Sequence, residues 1–220
     1  MRKKVVAVDG PAGAGKSTVS KLVAARRGLT YIDTGAMYRA VALKVLELGA
    51  ELTEEAIIGA ARTVDIDQQS VDGVTKTFLD GRDVSEAIRT PEVSKIVSPV
   101  AKVGFVRERL TELQRRMAAR GGVIMDGRDI GTVVLPNADV KIFLTASVEE
   151  RARRRFEELK AKGFDVDLAS IEKDIATRDK IDSEREIAPL KQADDAILLD
   201  TTALTIDEVA DAIAKLIGGK

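Results

Sequence analysis

The chain has 220 residues, 35 basic and 36 acidic side chains, a formal net charge of −1, 45 % apolar content, and neither cysteine nor histidine. A chain of that size buries roughly 70 % of the surface it exposes when unfolded, which excludes disorder and a string of small domains. Balanced charge, with two Tyr, five Phe and no Trp, excludes the basic field and stacking platform of a nucleic-acid binder; missing Cys excludes disulfides and thiolate chemistry, and missing His removes the commonest general base.

No apolar run approaches the roughly 20 residues needed to span a bilayer, so the expectation is a soluble, cytoplasmic protein with no membrane partner. Val5-Val6-Ala7-Val8 reads as a strand buried on both faces, stopped by Asp9-Gly10-Pro11. A helix over Ser17 to Arg27 follows, with Gly28 as its stop, and Thr30-Tyr31-Ile32 is a second strand. Met37, Val41, Val45 and Leu48 recur at helical spacing from a start near Asp33-Thr34-Gly35, and a short helix covers Glu54 to Arg62. Between Val64 and Val84 the period changes: Val71-Asp72-Gly73-Val74 and Leu79-Asp80-Gly81-Arg82 each carry an Asp-Gly hairpin signal, which predicts a small antiparallel insert.

From Pro91 to Met117 apolar residues keep a three-to-four spacing, and Pro99 predicts a break or kink beside Ser98. Val123-Ile124-Met125 ends in Asp126-Gly127, and Val140 to Leu144 ends in Thr145, giving two further buried strands. An Arg-rich helix over Ser147 to Lys162 and a helix over Leu168 to Glu186 come next. Ala196 to Asp200 is the last strand, followed by a helix with Ile206, Val209, Ile213 and Leu216 on one face. Alternating strands and helices predict an α/β fold whose central parallel sheet carries helices on both faces.

Gly10-Pro11-Ala12-Gly13-Ala14-Gly15-Lys16-Ser17 fits G-x-x-x-x-G-K-[ST] between a strand and a helix, the context in which backbone N–H groups cradle phosphates. Lys16 reaches the β and γ phosphates of a nucleotide and Ser17 can ligate Mg²⁺. A P-loop leaves GTPase, motor ATPase and small-molecule kinase open. The guanine-reading Asn-Lys-x-Asp segment is absent, since the only Asn is Asn137, followed by Ala138.

The arginines narrow the choice. Arg39 follows the second strand, Arg128 follows the strand ending at Asp126, and Arg178 and Arg185 lie late in the chain. Loops at the carboxyl ends of parallel strands face the ligand crevice, so Arg39 and Arg128 point to a second phosphate site beside the P-loop. An acceptor phosphate oxygen is already anionic, and its phosphorylation needs no base, which suits a chain without histidine. A sugar or alcohol acceptor would call on Asp33 or Asp126. Either of these carboxylates can serve the metal, and either can cap the segment that follows it.

Gly10 to Thr18, Asp33-Thr34-Gly35-Ala36-Met37-Tyr38-Arg39, Asp126-Gly127-Arg128-Asp129-Ile130-Gly131-Thr132-Val133-Val134, Lys141-Ile142-Phe143-Leu144, Arg178-Asp179 and Ala188-Pro189-Leu190 together resemble the bacterial cytidylate kinases over nearly the whole chain. The resemblance implies a P-loop three-layer fold: a core (1–62, 91–150 and 187–220), an insert binding the nucleoside monophosphate (63–90) and a helical lid (151–186). It implies transfer of the ATP γ-phosphate to CMP or dCMP with Mg²⁺ by a monomer, with Lys16, Arg128, Arg178 and Arg185 as catalytic cations. Thr34, Arg39 and Arg128 resemble acceptor-phosphate contacts, and Ser98, Arg107 and Asp129 the cytosine-reading set. A carboxylate accepts from the cytosine amino group and repels the carbonyl that uracil carries there.

Arg178, Asp182 and Arg185 read as one stripe of one helix that meets ribose and phosphate, or alternatively as an intrahelical salt-bridge ladder. The run Arg151 to Arg155 resembles the lid over ATP, and a solvated helix with i, i+4 ion pairs is the plain alternative; Arg154 and Arg155 are both candidates for ATP. Alternatives to the whole reading are another small P-loop kinase, acting on adenylate or shikimate, and a non-catalytic nucleotide-binding module.

Overall fold

A computed structural model describes residues 3–49, 51–71 and 74–218. Its strands are β1 (Val5–Asp9), β2 (Thr30–Asp33), β3 (Ile66–Val71), β4 (Val74–Leu79), β5 (Arg82–Asp83), β6 (Val123–Asp126), β7 (Val140–Thr145) and β8 (Ile197–Asp200). Its helices are α1 (Lys16–Arg27), α2 (Thr34–Glu47), α3 (Glu54–Thr63), α4 (Pro91–Lys102), α5 (Gly104–Ala118), α6 (Val148–Ala161), α7 (Leu168–Glu184) and α8 (Ile206–Ile217). Five strands form a parallel sheet in the order β2-β6-β1-β7-β8.

Strand alternation divides the core between the two faces of this sheet. Val6 and Val8 point with Ile124, Ile142 and Leu144 toward Val19 and Val23 of α1 and Val209 and Ile213 of α8. Ala7 points the other way, with Ile32, Val123 and Met125, toward Ala118 at the end of α5 and toward Ile130 and Val134. Central strands covered on both sides must be apolar throughout, which is why β1 and β6 read as unbroken apolar runs. β8 is an edge strand, and its Ile197 and Leu198 remain exposed.

The predicted antiparallel segment is present as β3-β4-β5, with Ile66 opposite Leu79 and Val71 opposite Val74. Between β4 and β5, Asp80 (φ 50°) and Gly81 (φ 78°) are both left-handed, as a two-residue hairpin turn requires. The other predicted turn, Asp72-Gly73, lies outside the described residues.

Four expectations need correction. Pro99 does not break its helix: α4 runs through it to Lys102, and the break falls at Val103 (φ −68°, ψ 120°), which leads into α5. An internal proline costs about 3 kcal/mol, whereas burying each of Val93, Val97 and Val100 returns about 1.5–3 kcal/mol, so packing wins. Leu48 follows α2 and is exposed rather than part of its buried stripe. On α8 the buried face is Val209, Ala210, Ile213, Ala214 and Ile217, leaving Ile206 and Leu216 in solvent. Finally, α7 stops at Glu184, and Arg185 is its extended C-cap residue (φ −64°, ψ 142°), not a member of a helical stripe.

Candidate active site

Parallel strands deliver their carboxyl ends to one edge of the sheet, and β1, β2, β6 and β7 end there with Asp9, Asp33, Asp126 and Thr145. The loop after β1 passes so close to β7 that a Cβ on Gly10 would collide with the Leu144 carbonyl oxygen, and with φ at 145° only glycine fits. The helix that follows, α1, has Gly15 as its N-cap, with no side-chain cap and no acidic residue in its first turn. Its leading N–H groups are therefore left for an anion. Lys16 is buried and donates from Nζ to the Pro11 carbonyl at 2.7 Å.

Asp126 receives two hydroxyls, Ser17 Oγ at 2.8 Å and Tyr31 OH at 2.7 Å. Burial, and then neighbouring Asp33, push its carboxyl up to about 6, against the charge of Lys16. Asp33 is otherwise engaged: Oδ1 accepts from Ala36 N at 2.9 Å, capping α2, and Oδ2 meets Arg89 Nη2 at 3.3 Å. Thr34 Oγ1 donates to the Asp126 carbonyl at 2.7 Å.

Facing this loop is a set of arginines arranged around two carboxylates. Arg128 Nε donates to Asp182 Oδ2 at 3.0 Å, Arg178 Nε lies 4.0 Å from the same oxygen, and Arg185 Nη1 lies 3.9 Å from Asp182 Oδ1. Arg107 Nη2 donates to Asp129 Oδ2 at 2.5 Å, stands over the Tyr38 ring at 5.3 Å, and shares Asp129 with Arg185, whose Nη2 is 3.7 Å from Oδ1. Arg39 donates to Ser94 Oγ at 2.9 Å and the Ile88 carbonyl at 3.3 Å. Ser98 is half-buried within α4, not at a cap.

The P-loop lysine and these arginines lie close enough to feel one another's charge. Burial and then the charge of Arg128 hold the Lys16 ammonium well below its ordinary value, with Arg178 adding to the effect. Burial, Arg178, Arg155 and Arg89 bring Arg39 down to about 9, and burial and Arg128 bring Arg178 down to about 10. Cations crowded enough to depress one another form a ready anion site. Arg107 Nε, Arg178 Nε and Arg185 Nη2 are buried donors that make no hydrogen bond among the described residues, although the last two lie within ion-pair range of a carboxylate, and donors left in this way are suited to a ligand.

The two lid candidates part company. Arg154 lies against the P-loop, its Nη1 3.8 Å from where a Gly15 Cβ would stand, and is braced by Glu150 Oε1 at 2.8 Å. Arg155 pairs with Glu158 at 2.8 Å, and its charge is felt at Arg39 and Arg178. Arg151 ties α6 to the P-loop and α7, donating to the Ala12 carbonyl at 3.0 Å and Asp179 Oδ2 at 2.6 Å.

Sequence reasoning missed Tyr31, Tyr38, Thr201 and above all Asp9, whose carboxylate is buried and accepts from Ile130 N at 2.8 Å and Gly131 N at 2.7 Å. The signal that singled out Asp126, a carboxylate closing an apolar strand, was equally present at Asp9.

The family described as cytidylate kinase matches residues 6–218. A Bacillus licheniformis protein named cytidylate kinase is 55 % identical over 100 % of this chain and 99 % of its own, and a Bacillus subtilis protein of the same name is 53 % identical over the same shares. Among solved structures, an uncharacterized protein from Eubacterium ventriosum shares the fold at a TM-score of 0.53 and 12 % identity, covering 98 % of each chain.

Proposed function

We infer the reaction from one premise: the chain belongs to the cytidylate kinase family. It is a nucleoside monophosphate kinase that transfers the γ-phosphoryl group of ATP to CMP or dCMP, giving CDP or dCDP. What supports the assignment of sites is that buried Arg178 acts on both Lys16 and Arg39, lowering each, with Arg128 acting on Lys16 and on Arg178, so that the P-loop lysine and the arginines lie within reach of one another's charge.

In this reading, Gly10 to Thr18 hold the ATP polyphosphate on the uncapped start of α1, with Lys16 on the transferred group. Arg39, Arg128 and Thr34 hold the acceptor phosphate. Arg178 and Arg185, ordered by Asp182, carry charge from acceptor to transferred group. Asp129 and Arg107 read the cytosine edge together with Ser98 of α4. Arg154 serves the ATP side, and Arg155 faces the acceptor cluster. An acceptor phosphate oxygen needs no proton removed, so positioning and charge neutralisation carry the step.

Ser17 and Asp126 fit a magnesium ion. They are hard oxygen donors 2.8 Å apart, and the lack of any cluster of three acidic ligands among the described residues suits an ion held by one or two carboxylates plus substrate phosphates. Bound there, Mg²⁺ supplies neutralisation of the β and γ phosphate charge. Asp33, at the register position paired with Asp126, adds negative charge beside it. The segments 63–90 and 151–186 serve as acceptor-binding insert and lid on a core of 1–62, 91–150 and 187–220. The enzyme works as a cytoplasmic monomer without nucleic acid. No helix among the described residues is long and apolar enough to cross a membrane.

The test is acceptor-dependent ADP release with Mg²⁺, ATP and each nucleoside monophosphate in turn. CMP and dCMP are expected to be phosphorylated well ahead of UMP and AMP. ADP release independent of the acceptor, or AMP as the best substrate, overturns the reading.

A further inference from the structure

We propose that Asp9 is a positioning residue that sets the cytosine-reading loop against the root of the P-loop. The inference rests on the acceptor-site assignment above and goes beyond it, because Asp9 touches neither substrate in that assignment.

Asp9 is the last residue of β1, immediately before Gly10, and its carboxylate is buried. Each of its oxygens takes one backbone amide, Oδ1 from Ile130 and Oδ2 from Gly131, at 2.8 and 2.7 Å. These are the two residues directly after Asp129. They open a single wide turn, Ile130–Val134, closed by bonds from Val134 N to the Asp129 carbonyl at 3.1 Å and from Leu135 N to the Ile130 carbonyl at 2.7 Å. Arg128 and Asp129 therefore project from a backbone held on one side by the main chain of β1, through Gly127 N to the Val8 carbonyl at 3.0 Å, and on the other by the Asp9 side chain.

Two charge-assisted bonds to consecutive amides leave that backbone little freedom to slide or rotate. Gly131 also leaves room for the approach: a Cβ there would stand 3.4 Å from Asp9 Oδ2 and 3.2 Å from Lys141 Cδ. One side chain thus joins the two loops whose separation decides whether donor and acceptor phosphates meet in line. Tilting the turn would displace the Asp129 carboxylate and the Arg128 guanidinium together, and a misplacement of 1 Å at a reacting centre can cost about 10²-fold.

The test is steady-state kinetics of Asp9→Asn, which keeps size and one acceptor oxygen but puts an amide donor against one of the two N–H groups. The expected result is a KM for CMP raised about tenfold or more, a KM for ATP changed less than about threefold, and a CMP-to-UMP preference reduced about fivefold or more, in a protein with a normal circular dichroism spectrum. A merely structural role would lower the folded fraction, and with it kcat, leaving KM and base preference alone; that outcome overturns the proposal, as does wild-type behaviour. If Asp9→Asn does not fold, the same split is read on Asp9→Glu, which keeps the charge and moves it by one methylene. Failure of both to fold also overturns the proposal. Wild-type protein that phosphorylates no CMP would instead overturn the acceptor assignment itself, so the two failures are distinguishable.

Discussion

Arg154 is joined twice to Thr201: its Nη1 donates to the threonine hydroxyl at 3.1 Å and its Nη2 to the threonine carbonyl at 2.7 Å. Thr201 in turn donates to the Thr145 carbonyl at 3.0 Å, at the end of β7. The guanidinium is therefore fixed beside the P-loop by the sheet itself. Arg154→Ala is expected to raise the KM for ATP about tenfold with CMP little affected, whereas Arg155→Ala is expected to act on CMP. Steady-state kinetics with each substrate varied in turn checks both.

Lys16 contributes one hydrogen bond to the fold, to Pro11, and is held there against burial and neighbouring cations. In its proposed role on the transferred phosphate, its loss removes transition-state charge stabilisation rather than packing. Lys16→Ala is expected to cut kcat by about 10²–10³, the cost of removing one well-placed donor, while the melting temperature does not fall. Single-turnover kinetics alongside thermal melts gives both numbers.

Asp129 holds Arg107 and Arg185 as well as the proposed cytosine amino contact. Replacing it with alanine would strip buried Arg107 of its carboxylate, at about 3–5 kcal/mol, and leave Arg185 with Asp182 alone. Asp129→Asn keeps the volume and is the sharper probe, since an amide can also donate to the uracil carbonyl. CMP-to-UMP preference is expected to drop about tenfold in a competition assay with both nucleotides present.

Burial drives the Asp9 carboxyl up to about 6 and Asp129 adds to the rise, while the amides of Gly131 and Ile130 and the charge of Lys16 oppose it. An unfolded aspartate titrates near 4, so between about pH 4 and 6 the folded chain holds a proton that the unfolded chain has released. The stability from this group therefore grows as pH falls through that window and is lost as pH rises above about 6. Melting of wild type and Asp9→Asn at pH 7 and pH 4.5 is expected to show the difference moving toward the wild type at the lower pH, by about 2 kcal/mol.

The parts of this molecule legible in the sequence are those where one local rule sufficed. Apolar strands closed by Asp, helices stopped by Gly28, and the Asp80-Gly81 turn follow from backbone sterics and burial alone. The continuity of α4 through Pro99 is not legible locally, because the proline's cost is outweighed by three buried valines, a tertiary effect that spacing along one chain does not reveal. Arg185 was misread because the end of α7 is set by an extended C-cap and by its own bond to the Ala188 carbonyl at 2.6 Å. Within the site, the P-loop and the arginines declared themselves by residue type. Asp9, Tyr38 and Thr201 act through partners more than 45 residues away, and no spacing rule reaches that far.

Gln68 of β3 lends its side-chain amide to the end of β2, taking Asp33 N at 2.9 Å and giving to the Asp33 carbonyl at 2.7 Å. It stands in for the neighbouring strand that β2 lacks on that edge. Both partners are neutral, so each bond is worth only about 1 kcal/mol against water. Between the two sheets this is a neutral clip that solvent can replace at small expense, while Ile66 and Leu79 anchor the small sheet in the buried cluster of α2 and α4; Asp9, by contrast, grips its turn through two charge-assisted bonds. The free edge of the large sheet is accordingly closed by groups cheap to exchange for water, and the turn after Asp129 by groups that are not.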